Sequence, residues 1–291
     1  MQQLTLSLSP TTTFTLPESD GYTLYGALLN LIQDAAPDKS DYIHNTNHAV
    51  IHNTGLTGDF GDPGDPHRKT AYYDNTYTLR LGLFDDHAND LYDTIAKTLL
   101  LNTPTLSLPQ GDLKIEEITT KQTTHEKLLE KATNRDPHRL EFTFETPVCI
   151  QEAGSVTTMV PHRTAIFPSL LTRWNKTCPE KYELDLREDT IAAHLIEKPH
   201  GYHLKSANTV VNRFEPTNQA GGNPETKEAV PDGGETEVKL RQGFTGEFAY
   251  QFKNASDATR TAVTTLALFA EYAGIGRAVA RGCGATTVQL R

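Results

Sequence analysis

Strand-period and helix-period stretches follow one another along this chain in one order, and that order restricts the fold more than composition does. Leu4, Leu6 and Leu8 alternate with polar residues, the period-2 pattern of a strand with one buried face. Residues 22–36, "YTLYGALLNLIQDAA", put Leu24, Ala27, Leu28, Leu31 and Ile32 at helical spacing. A mixed stretch follows, "SDYIHNTNHAVIHNTGL", and then "GDFGDPGDPHRK", a loop by its Gly-Asp and Asp-Pro content. "NTYTLRLGLF" alternates again, "ANDLYDTIAKTLLL" reads as a second helix and "DLKIEEITT" as another strand. Strand, helix, strand, strand, helix, strand is the order of a ferredoxin-like split βαβ unit.

The second half repeats the order. "RLEFTFETPV" is a strand with Leu140, Phe142 and Phe144 on one face, "AIFPSLLTRWNK" a helix and "GYHLKSANTVV" a strand. Residues 215–236 are polar and rich in Gly and Pro, and read as a surface excursion. "KLRQGFTGEFAYQF" reads as a strand or hairpin. In "SDATRTAVTTLALFAEYA", Ser256 or Asn254 is placed to cap a helix whose Val263, Leu266, Ala267 and Ala270 share a face. "ATTVQLR" is a last strand. The expected architecture is α+β: two tandem ferredoxin-like (RRM-like) domains, each βαββαβ, over residues 1–136 and 137–291.

Composition excludes several classes. No apolar run reaches the ~18 residues of a membrane span, and "MQQLTLSLSP" lacks the regions of a signal peptide. Cys149, Cys178 and Cys283 are odd in number and form no CxxC pair, so a reducing cytoplasm is expected and no cysteine metal site. The net charge is −10, which by itself argues against a phosphate partner. The charge is uneven, however. Residues 239–291 carry seven Lys/Arg against three Asp/Glu, a local +4.

That basic segment contains "GIGRAVARGCG", residues 274–284. Glycine-rich backbone lets N–H groups converge on a phosphate, and arginine grips phosphate with two parallel hydrogen bonds. The segment joins a helix to a strand, whereas a dinucleotide fingerprint runs from strand to helix, and Gly-Lys-Ser/Thr is absent. Both common nucleotide motifs are thereby disfavoured. A helix cap with a tight turn is the bland alternative.

"GFTGEFAYQF", then a helix, then "FAEYAGIGRAVARGCGATTVQL" resembles the C-terminal signature of the CRISPR-associated endoribonucleases that process CRISPR repeat RNA, the Cas-six family of repeat-associated (RAMP) proteins. "VPHRTAIFPSLLTRWNK" is similar to the family's mid-chain segment. "LYGALLNLIQDAAPDKSDYIHNTNHAVIHNTGL" is similar to its N-terminal helix and the histidine segment after it. The resemblance implies two ferredoxin-like domains and cleavage of precursor CRISPR RNA within repeats, with no cofactor and no metal. It implies that the loop contacts RNA through Gly274, Gly276, Arg277, Arg281, Gly282 and Gly284. The implied partners are precursor CRISPR RNA and mature guide RNA, with other interference-complex subunits in addition.

The same resemblance matches His44 to the family's catalytic histidine. Cleavage would proceed by attack of a ribose 2′-OH on the adjacent phosphorus, leaving a 2′,3′-cyclic phosphate and a 5′-OH. Histidine, with an ordinary pKa of about 6.5, suits either proton transfer. Some members add a lysine just downstream and a tyrosine upstream. This chain has no lysine between Lys39 and Lys69. Tyr25, His48 and His52 are the candidate helpers, with Lys39 or Arg68 reaching in as an alternative. On one helix, His44, His48 and His52 would share a face and could bind a metal, but "HAVIHNTG" suits a strand or loop better. Trp174 is expected in the core or in a lid, with base stacking as the alternative, and Arg173 and Lys176 either on RNA or facing solvent. A guide-RNA-binding protein that does not cut is the alternative to a nuclease.

Overall fold

Alternating leucines and phenylalanines build two separate cores, each an antiparallel sheet of five strands backed by helices. The computed structural model describes residues 1–46, 49–84, 88–101, 105–152, 156–199, 203–214 and 237–291. His48 and residues 215–236 lie outside them.

The first unit contains β1 (Gln2–Pro10), β2 (Phe14–Pro17), α1 (Gly21–Ala35), α2 (Pro37–Asn45), β3 (Ile51–Thr57), β4 (Arg68–Ala71), β5 (Tyr77–Leu83), α3 (Ala88–Leu101), β6 (Thr105–Leu108) and β7 (Gly111–Gln122). Its sheet runs β3-β5-β1-β7-β6. Leu4 and Leu6 of β1 pair with Leu81 and Leu79 of β5, so the predicted alternation sets the register. That face packs on Leu24, Leu28 and Ile32 of α1 and on Leu91, Ile95 and Leu99 of α3.

The helix α4 (His125–Arg135) leads into β8 (Arg139–Val148), α5 (Arg163–Thr177), α6 (Glu188–His194), β9 (Leu195–Pro199), β10 (Lys205–Phe214), β11 (Glu237–Phe252), α7 (Asp257–Ala273) and β12 (Thr286–Leu290). The second sheet runs β10-β11-β8-β12, with β9 pairing the far end of β11. Both sheets therefore have the ferredoxin-like neighbour order, and the tandem α+β architecture read from the sequence is the one observed. Phe142 and Phe144 of β8 pack on Tyr250, Phe167 and Phe244 at ring-centroid distances of 5.2–6.1 Å. Trp174 is fully buried, edge-on to Phe269, and its Nε1 donates to the Tyr182 carbonyl at 2.9 Å.

Several elements escape the periodic reading. The stretch read as mixed holds α2, a nine-residue helix opened by Pro37 at its first position. β2 and β4 form a two-stranded ribbon beside the Gly-Asp loop. The helix α4 is short and its apolar residues are few. Thr124 caps it, and Leu128 and Ala132 enter the second core. Of the two caps offered for α7, Ser256 serves, accepting from the Thr259 N–H at 3.2 Å.

Candidate active site

The glycine-rich segment begins where α7 stops. Gly274 has φ +64°, and Gly276, Ala278, Gly282 and Gly284 also adopt positive φ. A single 3₁₀ turn, Val279–Arg281, lies between them. All four glycines are buried. At Gly282 a Cβ would stand 2.7 Å from the Cα of Gly21 in the first turn of α1, so the two units touch backbone to backbone there. At Gly284 a Cβ would overlap the Ile275 carbonyl. These glycines allow close approach as well as tight turning.

The segment is tied to both sheets. The Arg277 N–H donates to the Cys149 carbonyl at 2.7 Å, and the Gly284 N–H to the Pro147 carbonyl at 3.0 Å, beyond and at the end of β8. Arg173 of α5 donates to the carbonyls of Ala273 at 3.2 Å and Gly274 at 2.6 Å, and to that of Gly276. Burial lowers the Arg173 pKa to about 10, which leaves it charged at neutral pH. From the first unit, the Asn53 amide of β3 donates to the carbonyls of Gly21 at 2.9 Å and Ala280 at 2.8 Å. Gln3 donates to the Glu271 carbonyl at 3.1 Å, and Arg80 pairs with Glu145 across the two units.

Charged and phenolic groups gather on the α1 side. The Arg281 guanidinium lies 5.9 Å from the Tyr22 ring centroid. Burial raises the Tyr25 pKa, and the Arg281 charge partly offsets this. Arg277 is exposed and bonds the Gln151 side chain. His44 is exposed in the last turn of α2, a helix held on α1 by the Ser40 hydroxyl, which donates to the Leu29 carbonyl at 3.3 Å.

The other predicted helpers are placed differently. His52 lies in β3, fully enclosed, and a Cβ on Gly274 would fall 2.9 Å from its Nε2. Burial lowers its pKa to about 3, and the positive charges of Arg173 and Arg80 add to the effect. His52 is therefore neutral at physiological pH and supplies no cation. Lys39 is held by Asp90 of α3, and Arg68 reaches the Thr15 carbonyl at 3.5 Å. His44 and His52 sit on a helix and a strand, one exposed and one enclosed, so they share no face. Among the described residues no group of three or more His, Cys, Asp or Glu side chains is arranged to hold a metal.

Two open clefts flank the loop. One, of about 1300 Å³, is lined by Gln151, His162, Thr172, Lys176, Arg277 and, from the first unit, Ala49. The other, of about 550 Å³, lies between the sheets and is lined by Lys69, Asn208, Thr209, Arg281 and Gly282. Under it Asp20 and Lys69 form a buried ion pair at 3.0 Å, and Asp20 accepts from the Leu56 N–H at 3.2 Å. Burial raises the Asp20 pKa, and Lys69 opposes the rise. Sequence reasoning passed over Tyr22, Asn53 and the Asp20–Lys69 pair, and left Arg173 undecided. The helical spacing of Tyr22 with Tyr25 was the one available signal.

Residues 142–286 match the family described as CRISPR-associated endoribonuclease Cas6. The fold is similar to that of a Cas6 product complex, with a TM-score of 0.70 at 20% identity over 99% of each chain. A Thermus thermophilus Cas6 structure gives 0.62 at 18% identity, over 99% of this chain and 98% of that one. The structure of a Cas6-related gene product from Pyrococcus furiosus gives 0.61 at 11% identity, over 99% and 98%. No curated protein matches the chain in sequence. The family match, two ferredoxin-like sheets in tandem and a glycine-rich segment at their joint agree: the chain belongs to the CRISPR-associated endoribonuclease Cas6 family.

Proposed function

We propose that this protein cuts precursor CRISPR RNA within its repeats without a metal ion, and that His44 is its catalytic residue. The observation that carries the reading is the meeting of two units at one loop. The α1–α2 pair bears His44, and the loop packed on α1 bears Arg277 and Arg281. Residues 1–136 would supply the proton-transfer group and residues 137–291 the RNA-binding loop. Solved structures with this fold include a Cas6 product complex and a Cas6 substrate-mimic complex.

In the proposed reaction the 2′-OH loses its proton and attacks the adjacent phosphorus, while the 5′-oxygen leaves and takes up a proton. The nucleophile belongs to the substrate, so the chemistry requires no metal-bound water. His44 transfers one of the two protons. The arginines stabilise charge growing on the non-bridging oxygens. With four glycines buried, the loop would act on RNA chiefly through Arg277 and Arg281. Of the candidate helpers, Tyr25 stands beside Arg281, whereas His52 is enclosed and uncharged. Precursor and mature guide RNA are the proposed partners, with complex subunits beyond them, and the cytoplasm is the proposed location. No helix among the described residues is long and apolar enough to cross a membrane.

The absence of a charged helper at His52 favours one second reading, a guide-RNA-binding protein that does not cut. A single experiment separates the two. Wild type and His44→Ala are incubated with repeat RNA from the native genome in EDTA, and the product ends are mapped. Cleavage leaving a 2′,3′-cyclic phosphate is expected, slowed at least about 100-fold in the variant with RNA affinity retained. Tight binding without product supports the second reading. Undiminished cleavage by the variant removes His44 from the mechanism.

A further inference from the structure

The contact between Gly21 and Gly282 is a stop: it limits how close the loop comes to α1 but does not hold it there. Attraction comes from a side chain on a third element. Asn53 is 1% exposed, at the start of the β3 irregularity. Its amide nitrogen donates to Gly21, the first residue of α1, and to Ala280, 227 positions away in the loop. Its Oδ1 accepts from the Gly55 N–H at 2.8 Å. The partners fix the orientation of the amide, since carbonyls face the nitrogen and an N–H faces the oxygen. Both donors and one acceptor are satisfied in a site closed to water.

The residues adjoining the two bonded carbonyls belong to the candidate site. Tyr22 follows Gly21 on α1, with Tyr25 one turn on. Arg281 follows Ala280 and lies over the Tyr22 ring. The helix α2, with His44 in its last turn, rests on α1. We propose that Asn53 is a positioning residue for RNA cleavage, fixing the separation between the loop arginines and the α1–α2 unit that bears His44. The proposal rests on the reading of His44 and the loop as the cleavage centre. Its physical basis is that a proton-transfer group and a cation must reach one phosphate from two separate units. A misplacement of about 1 Å in such an arrangement costs on the order of 100-fold in rate.

The test is Asn53→Asp, a near-isosteric change that turns an acceptor oxygen toward two carbonyls. Single-turnover cleavage of repeat RNA at saturating protein is measured beside RNA affinity, for wild type, His44→Ala and the variant. The expected result is a rate constant lowered roughly ten- to 100-fold, with affinity within about twofold of wild type. A residue that only stabilised the fold would leave the rate constant of the folded, RNA-saturated protein unchanged. A wild-type rate constant in Asn53→Asp therefore overturns the proposal. If circular dichroism shows the variant unfolded, Asn53→Ser, which removes the amide and adds no charge, is measured in its place, and an unchanged rate constant there is equally fatal. If wild type itself leaves repeat RNA uncut while His44→Ala binds it normally, the nuclease reading fails and this proposal falls with it.

Discussion

Lowering the pH should weaken this protein through one residue, His52, by an amount the structure allows to be worked out. The ring is enclosed among β3, the end of α7 and Gly274, its Nε2 has no hydrogen-bond partner among the described residues, and Arg173 and Arg80 are its charged neighbours. Its folded-state pKa, about 3, lies below the ordinary 6.5, so the unfolded chain binds the proton first. The stabilisation is complete above pH 6.5 and is lost as the pH falls from there towards 3. Within that window each pH unit removes about 1.4 kcal/mol, or about 2 kcal/mol between pH 7 and pH 5. Denaturant titrations of wild type and His52→Gln at pH 7, 6 and 5, in constant salt, isolate this contribution. Glutamine does not titrate, and whatever it costs in packing is the same at every pH. The margin of wild type over the variant should shrink by about 2 kcal/mol across the series. A margin that stays constant from pH 7 to pH 5 would mean that His52 is hydrated or paired in solution, and would refute the enclosed geometry.

Two further outcomes follow from the loop. Gly284→Ala forces a side chain into positive φ and against the Ile275 carbonyl; roughly 2–4 kcal/mol of stability should be lost, seen as a lowered midpoint in thermal unfolding, and an unchanged midpoint would show that the joint relaxes freely. Replacing Arg277 and Arg281 together with Ala should weaken RNA binding and flatten its dependence on potassium chloride, with the melting temperature within a few degrees of wild type; undiminished affinity would leave the loop with no role beyond its turn.

Periodicity revealed the fold because most of its strands have one wet face. β1, β5 and β8 were legible for that reason, as were the amphipathic faces of α1, α3 and α7. The element missed between α1 and β3 is short: α2 buries only Ser40 and Ile43, too few positions for a repeat to show. The site was legible only in part. Glycines and arginines announce an unusual loop, but the partners that hold it are distant in sequence. "HNTG" reads locally as a turn, yet its Asn53 bonds a residue 227 positions on. "TRWNK" reads as a helix end, yet Arg173 holds three carbonyls of the loop region a hundred residues later. His52 is a polar residue in a strand whose first six residues are all buried, because the loop covers one face and the sheet's own core the other. No alternation marks such a position.

The backbone contact between Gly21 and Gly282 has a consequence for how this protein tolerates mutation. A joint defined by side chains can be re-formed by compensating changes on its two surfaces. One defined by the lack of a side chain has no such freedom, since every replacement adds atoms where none fit. A comprehensive substitution map should therefore be sharply divided here, with nearly total intolerance at these two glycines beside wide latitude on the exposed faces of the helices they join. The angle between the two sheets would then persist through extensive drift in the surrounding sequence.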